Sequence, residues 1–105
     1  MTVMSAQPSD QIELIALLRA KPDKSVALFS ALAAIVPDVR KEDGCLRYDL
    51  HVDRDNPEMA VMIESWRDEA ALAAHAAGAP FQSLALRLDE LLAEPLRLQR
   101  LQHLA

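Results

Sequence analysis

Tyr48, Glu64, Trp66 and His75 are the side chains of this sequence that could do chemistry together. An imidazole titrates near neutral pH, so His75 could act as a general base on a phenol or an enol. Glu64 could orient that ring or share its proton. Trp66 and Tyr48 would give flat apolar walls, each with a polar tip, for an aromatic or planar substrate. Phe81 joins them as a candidate substrate-binding residue. A structural reading stands beside each. Trp66 is core in many small proteins, and Glu64 could simply bond an arginine such as Arg19 across a sheet. His75 could be a hydrogen-bonded structural histidine, and Tyr48 could cover a sheet edge.

Other chemistries lack their residues. The two glycines, Gly44 and Gly78, allow neither a dinucleotide fingerprint nor a phosphate loop. His51, His75 and His103 lie far apart, with no cysteine pair and no His-x-x-x-His spacing, so a metal site within one chain is not expected. No Gly-x-Ser-x-Gly elbow suggests a hydrolase. No cofactor is therefore expected. Cys45 is the one cysteine, which suits a reducing cytoplasm. A lysine and an arginine nearby could lower its thiol pKa, but it is not read as a nucleophile.

Length and composition set the frame. At 105 residues, 51% hydrophobic and 26% charged, the chain reads as one small globular domain over 11–105 behind a loose tail over 1–10. A net charge of −5 offers no basic stripe for a phosphate backbone, so nucleic acid is not an expected partner. The opening residues show neither a charged n-region nor an apolar h-region, and no apolar run is long enough for a membrane span. A domain this short has little room for both a large cofactor and a substrate, unless two copies share the work.

The elements that must hold these residues follow from the hydrophobic pattern. Ile12 to Arg19 is short and aliphatic, and reads as a strand buried on both faces. From Asp23 to about Glu42, Val26, Phe29, Leu32, Ala33, Val36 and Val39 recur at helical spacing. Pro22 and Asp23 suit the first turn, and Pro37 should loosen the last. Gly44 stands where a residue tolerant of positive φ is needed. Alternation then places Leu46, Tyr48, Leu50 and Val52 on one face of a strand, opposite Arg47, Asp49, His51 and Asp53.

The polar cluster 53–58 makes a hairpin turn into a strand from Met59 to Trp66, with Met62, Glu64 and Trp66 on one face. Asp68 can cap a helix carrying Leu72, His75 and Ala76. Gly78-Ala79-Pro80 interrupts that helix, and Phe81, Leu84, Leu88, Leu91 and Leu92 continue it to Glu94-Pro95. The segment from Leu96 reads as a last strand, because Pro95 breaks the helix and the sheet still has a free edge.

The order is β-α-β-β-α-β, a ferredoxin-like α+β sandwich with a four-stranded antiparallel sheet. Helices can cover only one sheet face. The first strand is apolar on both faces, and Val61 and Ile63 point away from the Met62–Trp66 face, so a homodimer packed through its sheets is expected.

One family carries these residues in this order. Ile35-Val36-Pro37, Lys41-Glu42-Asp43-Gly44-Cys45 to Tyr48, Val61-Met62-Ile63-Glu64-Ser65-Trp66 and Ala71-Leu72-Ala73-Ala74-His75 resemble the antibiotic biosynthesis monooxygenase domain family. The likeness is nearest to its small quinol monooxygenase branch and covers nearly all of residues 12–104. It implies a dimeric α/β barrel with a pocket between sheet and helices in each chain. It also implies cofactor-free oxidation of a hydroquinone or related aromatic, with His75 as candidate base. The family's haem-degrading members use an asparagine and an axial histidine where Leu18 and Ala85 stand here, so haem cleavage is not expected. Two alternatives remain: isomerisation of a small phosphorylated signalling sugar, which needs cationic groups such as Arg19, Arg47 or Arg67, and a non-catalytic ligand-binding dimer.

Overall fold

The aliphatic run after Gln11 forms β1 (Ile12–Arg19), and a two-residue turn leads to α1 (Ser25–Arg40). The hairpin of β2 (Cys45–Asp53) and β3 (Asn56–Trp66) follows. Three short helices come next, α2 (Glu69–Ala77), α3 (Ala79–Ala85) and α4 (Leu88–Leu91), and β4 (Arg97–Leu101) closes the sheet. The computed structural model describes residues 10–105, so the tail expected over 1–10 lies, apart from Asp10, outside the described residues. All strand pairs are antiparallel, in the order β2-β3-β1-β4. This is the expected ferredoxin-like α+β arrangement, with its second helix in three pieces.

In β1 the face bearing Ile12, Leu14, Ala16 and Leu18 is buried, while Glu13, Ile15, Leu17 and Arg19 are half-buried. Burial on both faces is therefore not met within one chain. Period-2 geometry sends alternate residues to opposite faces, and the helices cover one of them. On the open face Ile15 stands opposite Ile63 and Leu17 opposite Val61.

The buried stripe of α1 is Leu28, Leu32, Ile35, Val36 and Val39. Two expected members drop out: Val26 is 80% exposed, and Ala33 is exposed. The expected and observed stripes share the same three- and four-residue steps, and packing on the sheet selects the line that buries Leu28 and Leu32 fully. Each such leucine contributes about 1.5–3 kcal/mol. Pro22 and Asp23 lie in the turn before the helix, with Asp23 at φ 65, and Pro37 sits inside the helix without ending it.

A β-bulge changes the face assignment in β2. Cys45 pairs with Trp66 and Arg47 with Ser65, so Leu46 is the extra residue and turns outward at 55% exposure. The expected alignment of Leu46 with Tyr48 fails for that reason. β3 begins three residues earlier than expected. The Asp53 carboxylate accepts from the Asp55 N–H at 2.8 Å, which tightens the turn to Arg54-Asp55.

Asp68 caps α2 as expected, accepting from the Ala71 N–H at 2.8 Å. Gly78 ends α2 and precedes α3, whose first turn holds Pro80. The expected continuous stripe from Phe81 to Leu92 is broken at Leu86 and Arg87, although Leu84, Leu91 and Leu92 all reach the core. β4 pairs with β1, setting Leu98 opposite Ala16, and the Arg100–Glu69 ion pair ties it to the start of α2. Among the described residues, no helix is long and apolar enough to cross a membrane.

Candidate active site

Local backbone geometry brings the two ends of the site together. Gly44 connects α1 to β2 at φ +83, and a Cβ there would stand 2.4 Å from the Cβ of Ala71. Glycine thus serves twice, for the left-handed conformation and for the close approach of α2. The Arg67 N–H donates to the Gly44 carbonyl at 2.8 Å, and the Cys45 N–H to that of Glu42 at 3.1 Å. Glu42, in the turn after α1, is thereby set against α2.

A cavity of about 210 Å³ lies between sheet and helices. Its floor is Leu14, Ala16, Leu18, Tyr48, Met62 and Glu64. Leu32, Leu72, His75, Ala76, Phe81 and Leu84 form the roof, and Leu96 and Leu98 the side. Tyr48, Glu64 and His75 are the polar members of an otherwise apolar lining. Four predicted residues therefore meet here: Tyr48, Glu64, His75 and Phe81.

Trp66 takes a different place. It is fully buried, does not line the cavity, and stacks on His75 with ring centroids 4.6 Å apart. The expected substrate wall is a support beneath the imidazole, as the core reading of this residue had it. Around the same ring, Tyr48 and Phe81 stand at 5.5 and 5.6 Å.

Glu64 does not hold the imidazole. Its Oε1 accepts from the indole N–H of Trp66 at 2.9 Å. Nor does it bond Arg19, which pairs with Glu58 and Glu94 instead. Burial raises the Glu64 carboxyl above its ordinary value, against the lowering by Trp66 and His75. Burial also pushes the Tyr48 phenol well up, aided by Glu64 and Glu42, so its hydroxyl stays a donor.

The partner of His75 is Glu42, whose Oε1 lies 2.8 Å from Nδ1. Sequence reasoning missed this residue. The two are 33 positions apart, and the acidic run before Gly44 reads as an ordinary helix end. With Nδ1 bonded to a carboxylate, Nε2 is the ring nitrogen left for other partners, and His75 lines the cavity, an arrangement that can take a proton. The expectation of a lowered Cys45 pKa is overturned. Burial raises it, aided by Glu42 and Glu64, and outweighs the lowering by the Arg47 backbone and the Arg40 charge.

Arg19, Arg47 and Arg67 do not line this cavity. Arg47 pairs with Asp49, and Arg67 with Asp43 and Asp68.

Residues 11–85 match the antibiotic biosynthesis monooxygenase family. The chain is similar to "Putative monooxygenase YcnE" of Bacillus subtilis (strain 168), 36% identical over 89 residues that cover 85% of this chain and 94% of that one. It is 33% identical over 84 residues to "Putative monooxygenase Rv0793" of Mycobacterium tuberculosis (strain ATCC 25618 / H37Rv), covering 80% and 82%. Among solved structures, PA3566 from Pseudomonas aeruginosa superposes with a TM-score of 0.86 at 39% identity, covering 90% of this chain and 95% of that one. The family match, the identity to these relatives and the superposition agree, and this chain belongs to the antibiotic biosynthesis monooxygenase family.

Proposed function

We propose that the protein is a cofactor-independent monooxygenase that oxidises a hydroquinone or a related electron-rich aromatic with dioxygen, His75 being the general base. The observation that carries this reading is one imidazole lining a small, largely apolar cavity whose other polar members are Tyr48 and Glu64. At about 210 Å³ the cavity is below the usual range of drug-sized pockets, about 300–1,000 Å³. It suits one ring or two fused rings.

Triplet dioxygen reacts slowly with closed-shell molecules, but a phenolate or hydroquinone anion can give it an electron directly. The protein's work is then to remove a proton and hold the anion away from water. His75 takes the proton. In this reading the Tyr48 hydroxyl donates to a substrate oxygen, the Glu64 carboxyl is a second polar contact, and Phe81 flanks the ring. The reaction balances without a further reductant. One oxygen atom enters the ring, the other leaves as water, and the substrate supplies all the electrons as it becomes a hydroxyquinone.

Isomerisation of a phosphorylated sugar has less support, because the arginines that could hold a phosphate are bonded to carboxylates outside the cavity. The same reading includes a homodimer built through the open sheet face, working in a reducing cytoplasm. The apolar centre at Ile15, Leu17, Val61 and Ile63 supports the dimer, and sedimentation of wild type against Ile63→Asp tests it. A wild-type monomer would overturn it.

Oxygen uptake with a reduced naphthoquinone tests the chemistry, comparing wild type, His75→Ala and an enzyme-free blank. Uptake well above the blank, lost in His75→Ala and unchanged after dialysis against a chelator, is expected. Wild-type uptake no faster than the blank would overturn the oxygenase for this substrate class and favour a binding dimer.

A further inference from the structure

His75 borders two spaces at once. One is the apolar cavity. The other is an outer cleft of about 330 Å³ lined by Glu42, Asp43, Arg67 and Gly78 together with alanines of α2. Glu42 lines the outer cleft and not the cavity. Its carboxylate therefore touches the imidazole from behind, on the side away from the substrate.

The surrounding charges favour this pairing. Arg67, the cation of the cleft, is bonded through both terminal nitrogens to Asp43, at 3.0 and 3.1 Å, and also to Asp68. Among the described residues, the basic group that Glu42 meets within ion-pair distance is His75. The imidazole is 6% exposed and the Glu42 side chain 21%. Exposure thus rises from the ring towards the carboxylate. Gly78 borders that carboxylate, where a Cβ would lie in ordinary contact at 3.6 Å from Oε2.

We propose that Glu42 is the positioning residue of His75: it holds the proton on Nδ1, keeps Nε2 free for the substrate, and relays the Nδ1 proton to the outer cleft when Nε2 takes one from the substrate. This rests on His75 acting as the base. The substrate O–H bond breaks and Nε2 gains that proton. The Nδ1 proton moves to Glu42 Oε1 and then to water in the cleft. The substrate anion stays in the cavity beside a neutral ring that now carries its proton on Nε2. That proton goes to the oxygen that leaves as water, and Nδ1 is reprotonated from the cleft through Glu42, which restores the starting tautomer. With a histidine alone, the extra proton of the imidazolium could leave only past the anion. The carboxylate gives it a route that does not cross the substrate.

Glu42→Gln is the decisive variant, because an amide can turn either its oxygen or its NH2 towards Nδ1 and cannot accept a proton. Nitrogen-15 NMR of the ligand-free protein reads the ring directly. Wild type should show the Nδ1–H tautomer of His75, and Glu42→Gln a mixture. In oxygen uptake, kcat should fall about 100-fold or more in Glu42→Gln with KM little changed, the scale of general-base catalysis. Acetate should restore part of kcat in Glu42→Ala, since the cleft is open, and none in His75→Ala.

An unchanged tautomer or an undiminished kcat in Glu42→Gln would overturn the proposal. If wild type takes up no oxygen, the oxygenase reading fails. The tautomer shift then still decides whether Glu42 orients the ring.

Discussion

The indole N–H of Trp66 donates to Glu64 Oε1 at 2.9 Å while the same indole stacks on the ring of His75. Residues two apart on a strand share a face, so β3 itself sets the first contact, and the packing of α2 on the sheet sets the second. Trp66 thereby supports two polar groups of the cavity without reaching the cavity. Trp66→Phe should keep an aromatic ring in place but lose the indole N–H and part of the buried bulk, leaving the carboxyl without its donor. The expected cost is about 1–3 kcal/mol in urea unfolding. A variant as stable as wild type would show that Glu64 finds another partner.

Glu64 should also leave a mark on stability against pH. Burial raises its carboxyl above about 4.5 in the folded protein, so the native state holds this proton more tightly than the unfolded chain. The contribution is full below the unfolded value and declines as pH rises towards the raised folded value. Glu64→Gln removes that decline. Urea midpoints measured from about pH 4 to about pH 8 should therefore fall in wild type relative to the variant over that window. Glu13, Asp43, Asp49 and Asp53 are shifted downward and have the opposite slope, but they are common to both proteins. Parallel curves would contradict the assignment.

Tyr48→Phe separates binding from folding. The phenol ring packs edge-on against Trp66 and His75, and phenylalanine keeps those contacts. The lost hydroxyl should weaken an oxygen-bearing aromatic ligand by about 0.5–1.5 kcal/mol, read as a rise in KM, while thermal stability changes little. A loss of stability as large as the loss of binding would make the hydroxyl structural.

Gly44→Ala should destabilise strongly. An L-residue at φ +83 is strained by about 1–2 kcal/mol, and the new methyl would clash with Ala71 at 2.4 Å, adding about 1–3 kcal/mol of overpacking. Ala71→Gly in the same chain should relieve the clash and leave the backbone strain. Chemical denaturation of the single and double variants checks the partition. No recovery in the double variant would place the whole cost in the backbone.

Local chemistry made most of the fold legible in advance. The Asp68 cap, the Gly44 turn, the Pro95 break and the change of period from strand to helix each act over a few residues, so they can be read along the chain. The bulge at Leu46 was not legible, because a bulge is decided by which cross-strand register buries Tyr48 and Trp66 together. The face of α1 escaped for a related reason: several lines on that helix have the right spacing, and only contact with the sheet selects the one through Leu28.

The amino-acid sequence by itself determined the order of elements, the single open face of the sheet and the membership of Tyr48, Glu64, His75 and Phe81 in one cavity. Strand alternation and helix period already place those residues on facing surfaces. Tertiary structure decided the partners. It gave His75 to Glu42, left Glu64 to Trp66, and put Trp66 behind the site instead of in its wall. A hydrogen bond between residues 33 positions apart leaves no period to read. It exists because Gly44 lets α2 close against the end of α1, and that approach is a property of packing rather than of spacing.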